Sequence, residues 1–243
     1  MNFTLLRTLA ASVAVLLVSL GLGGCKFSEQ KLHHRNSLID YLYPDTKPPQ
    51  EEAVLPAAAG IALPARVGVA FAPDQVVLLS EKDKLELLKR VREELAKYSF
   101  ISSAELIPSQ HLSLGGGFTN LEQLRQMYGI DLVALVSYDQ MQYTDEGFKT
   151  ISYWTIVGMY TVEGEKNDTS TMMDLSLFHI PSRKMLLHAA GTSQIRKGAT
   201  FINLSEQLRV DSLDGFSQAT DSLVANLRVE LDKFQQSVLS RAQ

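Results

Sequence analysis

Arg66-Val67-Gly68-Val69-Ala70-Phe71-Ala72-Pro73 is the stretch whose reading decides the fold. Val67 to Phe71 is apolar without alternation, so both faces of the segment demand cover, as in the central strand of a parallel sheet. Downstream, Ser80-x-x-Asp83 is a capping pattern that opens a helix. Leu85, Leu88, Val91 and Leu95 supply its apolar stripe through about Tyr98. Ser103 to Ile107 is a second strand, ended by Pro108. After Gly115-Gly116-Gly117, Thr119-x-x-Glu122 starts another helix, with Leu121, Leu124 and Met127 on one side and Gly129 placed as its C-cap. Leu132 to Val136 is again continuously apolar. Strands alternating with helices call for a small parallel sheet covered on its faces.

After Tyr138 the pattern changes. Ile151 to Val162, Thr171 to Ile180 and Lys184 to Ile195 read as strands, separated by turns at Gly164 to Asp168 and at Pro181-Ser182-Arg183. This is an antiparallel meander added to the parallel part. From about Ser212 to Leu239 the spacing of Phe216, Leu223, Leu227, Leu231, Phe234 and Val238 predicts one long helix packed on the sheet. The fold class is α/β (α+β). It is a three-layer-like domain with a β-α-β-α-β start, an antiparallel meander and a long C-terminal helix, spanning 65–243.

Ahead of this domain the composition shifts. Five of the eight prolines, Pro44, Pro48, Pro49, Pro56 and Pro64, lie between residues 25 and 64, which read as a tether reaching roughly 120 Å if fully extended. Within it Leu38, Ile39, Tyr41 and Leu42 form one face of a short helix that stops before Pro44. That face buries either against the domain or against a partner. His33 and His34 are adjacent, share no helix face and read as solvated.

Residues 1–24 read as an address. Arg7 is the only charge, Leu9 to Leu20 is almost unbroken apolar, and Leu22-Gly23-Gly24-Cys25 closes the segment. A dozen apolar residues suit a signal peptide and fall short of the roughly 20 that span a bilayer. The segment resembles a bacterial lipoprotein signal peptide, with Leu22, Gly23 and Gly24 as its lipobox. The resemblance implies cleavage before Cys25, a diacylglycerol thioether on its sulfur and an acyl chain on its new amino group. Several acyl chains, at about 0.8 kcal/mol per buried methylene, hold a protein on a membrane where one chain is marginal. Lys26, being other than Asp, implies by analogy with enteric bacteria an outer-membrane destination facing the periplasm. Cys25 is the only cysteine in 243 residues, which excludes an intrachain disulfide and any multi-thiolate metal site. Without residues 1–24 the formal charge falls from −4 to −5, and no basic run supports nucleic-acid binding.

The lipobox, the Ser37-Leu38-Ile39-Asp40-Tyr41-Leu42-Tyr43-Pro44 element and Leu63-Pro64-Ala65-Arg66-Val67-Gly68-Val69-Ala70-Phe71 together resemble the rhombotail lipoproteins of proteobacteria. The resemblance covers nearly the whole chain and implies no activity. Some members carry a Gly-Gly sorting tail, which Ser240-Arg241-Ala242-Gln243 does not match. The order of elements is also similar to the periplasmic α/β domain of the curli-secretion lipoprotein and of lipoprotein activators of peptidoglycan synthases, a likeness of fold that does not fix function.

Candidate chemistry is sparse. Gly115-Gly116-Gly117 has the backbone freedom of a phosphate cradle but neither the Lys-Ser/Thr of a P-loop nor a dinucleotide fingerprint, and reads as a loop before a helix. His111, Ser113 and Asp131 are the residue types of a hydrolase triad without a nucleophile elbow. His179 and His188 flank a turn and lack a third metal ligand. Asp139, Asp145 and Glu146 sit past the end of a strand, where α/β sheets bind ligands, and read as loop charges. The aromatic stretch Tyr153-Trp154-Thr155-Ile156-Val157-Gly158-Met159-Tyr160 admits three readings: a covered strand, an exposed partner surface or a membrane-inserting strand.

The candidate partner surface is therefore Tyr153, Trp154 and Tyr160 together with Tyr41 and Tyr43. No catalytic residue, metal or cofactor is assigned beyond the lipid on Cys25. These observations point to a non-enzymatic, lipid-anchored envelope protein with an envelope protein partner. A hydrolase or small-ligand-binding lipoprotein is one alternative, with a deep pocket near Asp139 to Glu146 or His111. An oligomeric, secretion-pore-like assembly is the other.

Overall fold

The computed structural model describes residues 30–44, 61–74, 76–146, 165–199 and 204–240. Its strands are β1 (Gln30–Asn36), β2 (Ala65–Phe71), β3 (Ile101–Leu106), β4 (Leu132–Glu146), β5 (Glu165–His179) and β6 (Lys184–Ala199). Its helices are α1 (Leu38–Leu42), α2 (Glu81–Leu95), α3 (Gly117–Tyr128) and α4 (Leu204–Leu239), with a single 3-10 turn at Ser109–His111. They build one mixed six-stranded sheet in the order β3-β2-β4-β5-β6, with β1 also paired to β4.

The strand β2 is central, as its unbroken apolar run requires. It runs parallel to β3 on one side and to β4 on the other, in register Val67↔Leu132 to Phe71↔Val136. Val67, Val69 and Phe71 point into a core roofed by α2 and α4, whereas Ala70, Val133 and Leu135 point into a second core under α1 and α3. Beyond Val136 the sheet changes character. The two long strands β4 and β5 stay paired antiparallel for fifteen residues, from Leu132↔His179 to Glu146↔Glu165, and β6 continues the meander.

The capping patterns divide. Ser80 accepts a hydrogen bond from the Asp83 backbone N–H at 3.2 Å and starts α2, which ends at Leu95, short of Tyr98. Its buried stripe is Lys84, Leu87, Leu88, Val91 and Leu95, and Leu85 is only half-buried. The helix α3 begins at Gly117 with Gly116 as an uncapped start, so Thr119 lies inside it. Leu121 and Leu124 are buried, but Met127 is 67% exposed. Gly129 closes the helix at φ 63° and ψ 36°, the left-handed C-cap its position requires.

Other expected boundaries move as well. Gln30–Asn36 is a strand rather than tether, in register with β4 from Gln30↔Thr144 to Asn36↔Tyr138. Its segment QKLHHRN carries little apolar signal because it lies at the sheet's periphery, where backbone pairing rather than burial holds it. The residues from Glu165 to Asp168, expected in a turn, are ladder residues of β5. The helix α4 starts at Leu204, eight residues before the expected Ser212, because the positions it buries in these turns, Asp211 and Ser212, are polar and interrupt the apolar stripe. Among the described residues no helix is long and apolar enough to cross a membrane.

Where β2 ends, Asn36 takes over its ladder role. Its Nδ2 donates to Ala72 O at 2.7 Å and its Oδ1 accepts from Tyr138 N–H at 2.6 Å, so β1 replaces β2 beside β4 without orphaned backbone groups. The long helix crosses β6 at Gly191, where an added Cβ would lie 2.1 Å from Leu223 N. Only glycine permits that approach. Phe216, Leu223, Leu227, Leu231 and Phe234 then bury along the sheet as their spacing predicts.

Candidate functional site

Tyr41 is the first of the expected surface residues to be placed, and it is not at the surface. It is 2% exposed, and its hydroxyl donates to Asn120 Oδ1 at 3.0 Å. Burial pushes the phenol pKa well above its usual value. Of the two covers that the α1 face allows, the domain's own supplies this one: α1 docks on α3 because Tyr41 and Leu42 join the core beneath it. Ser37 caps α1 by accepting from the Asp40 N–H at 3.2 Å.

The glycine loop serves this docking. Gly115 and Gly117 hold φ of +67° and +54°; a Cβ on Gly117 would stand 3.0 Å from Leu42 O, and one on Gly115 3.4 Å from Pro44 Cβ. The loop receives the end of α1 where a phosphate cradle was the other reading. Tyr43 is half-buried and packs edge-on to Phe118 at 5.8 Å, and Phe118 in turn meets Phe178 at 6.0 Å. The Arg183 guanidinium sits 5.6 Å from the Phe118 ring centre, a cation–π contact.

Beside this aromatic group no described residue covers the sheet face. A groove of about 560 Å³ runs between α1 and the uncovered face of β4, β5 and β6. Leu38, Ile39, Tyr43, Met172 and Met185 make its walls apolar, with Ile39 at 55%, Met172 at 44% and Met185 at 51% exposure. Its rim is polar: His33 Nε2 lies 2.8 Å from Asp139 Oδ1, and His188 is hydrogen-bonded to Asp174. A neighbouring cleft of about 660 Å³ is lined by His33, His34, Arg35 and Asp40 together with Val76 and Leu114. Isolated exposed apolar residues are ordinary, but a grouped set around a concavity marks an interaction site.

The catalytic types do not converge. His111 Nδ1 is 2.6 Å from the Tyr128 hydroxyl, Asp131 binds Arg125 at 3.1 Å, and the Ser113 N–H donates to Asn120 Oδ1 at 3.0 Å. His179 is bonded to Ser182 at 2.7 Å and pairs with Lys184 across the ladder, so it does not face His188. Burial lowers the His179 pKa. Asp139 lies mid-strand in β4 instead of past a strand end, because the strand continues through Glu146. Among the described residues no group of three or more His, Cys, Asp or Glu side chains is placed to hold a metal ion. Leu22, Gly23, Gly24, Cys25, Tyr153, Trp154 and Tyr160, and the expected strand from Ile151 to Val162, lie outside the described residues.

Two buried polar clusters escaped the sequence reading. Lys84 Nζ and Asp74 Oδ2 pair at 2.7 Å beside Tyr138, whose phenol pKa rises through burial first and then through Asp74. Lys84 stands three residues before Leu87 and four before Leu88 on the buried stripe, which is the signal that would have found it. In the second cluster Gln140 Nε2 donates to Thr171 Oγ1 at 2.7 Å and to Ser212 O at 3.1 Å. Gln142 Nε2 donates to Leu208 O at 2.8 Å. The even residues Gln140 and Gln142 lie on the face of β4 covered by α4, so alternation alone predicts apolar residues there.

No family model and no curated protein matches the chain, so the rhombotail resemblance rests on the quoted motifs. Solved structures similar to it include a leucine-to-methionine variant of the PelC dodecamer from Paraburkholderia phytofirmans, at 10% identity over 68% of this chain and 87% of that one, with a TM-score of 0.34. The LpoB C-terminal domain from Salmonella enterica is 12% identical over 57% and 88%, with a TM-score of 0.31. Lipoprotein GNA1162 from Neisseria meningitidis is 14% identical over 60% and 94%, with a TM-score of 0.27. Likenesses this distant assign no activity, ligand or partner to the present chain.

Proposed function

We propose that the chain is a lipid-anchored protein of the bacterial cell envelope, held through acylated Cys25 and facing the periplasm, whose α/β domain is a non-catalytic interaction or assembly module. The observation that carries the module reading is the groove between α1 and the open face of β4 to β6, walled by Ile39, Met172 and Met185. Methionine side chains adapt to irregular apolar surfaces and recur where a protein binds a partner segment. Tyr43 at the groove's end remains a candidate contact, and Tyr41 does not. The partner that suits these walls is an envelope protein presenting apolar side chains flanked by polar ones.

The test replaces Met185 with a photo-crosslinking residue in cells and compares it with the same residue at Val229, which is 50% exposed on α4. A discrete crosslinked species at Met185, lost on a second substitution Met172→Asp and absent at Val229, supports the module. Equal crosslinking at the two positions, or none at Met185, overturns it. The anchor is tested separately, by mass spectrometry of the processed amino terminus and by fractionation of Cys25→Ser.

A further inference from the structure

The position of β1 shortens the leash between Cys25 and the folded body. With the first ladder pair at Gln30↔Thr144, only residues 26–29 separate the anchor residue from the sheet. Five residue steps reach at most about 18 Å. The strand is fixed along its length: seven register pairs run to Asn36↔Tyr138, where the two Asn36 side-chain hydrogen bonds pin it. The ladder thus places Gln30 beside Thr144.

That pairing also selects one end of the molecule. Thr144 faces Asn167, and Asn167 faces Lys197, so the start of β1 lies at the same end as the last residues of β4, the first of β5 and the last of β6. The turn at Ile180 to Arg183 lies at the opposite end. Arg196 and Lys184 are twelve residues apart on β6, about 40 Å at the usual rise of a strand. Of the connection 147–164 only the flanks, Glu146 and Glu165, are described, and they are paired at the Gln30 end.

We propose that the end of the sheet formed by Gln30, Tyr143, Asp168 and Arg196 faces the phospholipid bilayer, with the Lys184 end pointing away from it. The inference rests on the lipid anchor at Cys25. Its cause is tethering and not charge. Among the cations whose side chains are described at this end, Arg196 pairs with Asp168 at 3.2 Å, Lys197 with Asp214 at 2.9 Å and with Asp211 at 3.0 Å, and Arg209 with Glu206 at 2.6 Å. Cations already matched by carboxylates add little attraction to anionic headgroups, and what they add is screened by salt.

The experiment uses the acylated full chain in vesicles of phosphatidylethanolamine and phosphatidylglycerol carrying a headgroup-region spin-labelled lipid. The native thiol is consumed by lipid, so Arg196→Cys and Lys184→Cys each accept a single fluorophore at an exposed position. The label at position 196 is expected to be quenched several-fold more than that at 184, with the contrast surviving high salt. Equal or reversed quenching on vesicle-bound protein overturns the orientation while leaving the anchor intact. Loss of the contrast in high salt overturns the leash as its cause. Failure of the acylated preparation to stay on vesicles overturns the anchor, and the orientation with it.

Discussion

The lower half of the sheet, where β3, β2 and the first residues of β4 lie parallel, and the upper half, where β4, β5 and β6 extend with β1, are built on different chemistry. In the lower half both faces are roofed, by α2 and α4 on one side and α1 and α3 on the other, and β2 and the first residues of β4 are apolar on both. In the upper half one face meets the first turns of α4 through glutamine, threonine and serine, and the other carries the open groove. Apolar burial scales with area and needs no particular geometry, so it accounts for stability below. Hydrogen-bonded polar contacts contribute less net free energy but demand one register, so above they specify the seating of α4 more than they stabilise it.

The largest expected effect falls in the apolar core that roofs the lower half and reaches up to Tyr138. Phe216 is fully buried and meets Tyr138 edge-on at 5.1 Å, so Phe216→Ala should cost about 3–5 kcal/mol in denaturant unfolding. A loss under about 1 kcal/mol would break the contrast between the halves. Next comes Gln140→Leu, which strands the Ser212 hydroxyl that donates to Gln140 Oε1 at 2.5 Å. It should cost about 1–3 kcal/mol, with hydrogen exchange rising first in the opening turns of α4.

Glu94→Gln sharpens the comparison through pH. Glu94 accepts from Arg228 at 2.9 and 3.0 Å and from Lys97, which together hold its carboxyl down at about 2. A lowered pKa in the folded state stabilises above the unfolded value and fades as pH falls between about 4.5 and about 2. Near neutral pH the variant should therefore be less stable by about 1–2 kcal/mol, and urea midpoints of the two proteins should converge toward pH 2. The smallest stability effect belongs to the groove: Met185→Gln should stay within about 0.5 kcal/mol of the parent by thermal unfolding. The same substitution should nevertheless weaken partner crosslinking from a photo-reactive residue placed at position 172.

Much of the lower half was legible. An apolar run without alternation at Val67 to Phe71, a Ser80 cap and a glycine after Tyr128 each state a local requirement that one element satisfies. The upper half was legible only in part. The strand β1 has no apolar pattern, and Gln140 and Gln142 break the alternation of β4, because their partners lie on α4 some seventy residues away. The groove was less legible still. Ile39, Met172 and Met185 are unremarkable singly and become a surface only when α1 folds back beside β5 and β6.

By itself the sequence determined the alternation of elements and the packed stripe of α4, since each depends on periodicity within one segment. Only the tertiary structure decided that Tyr41 is core, that Gln30–Asn36 belongs to the sheet and that α1 and one face of the meander together wall a groove. Those outcomes depend on backbone pairing and on which surfaces meet. Pairing is made by groups that every residue carries, so no choice of side chains along one segment announces it.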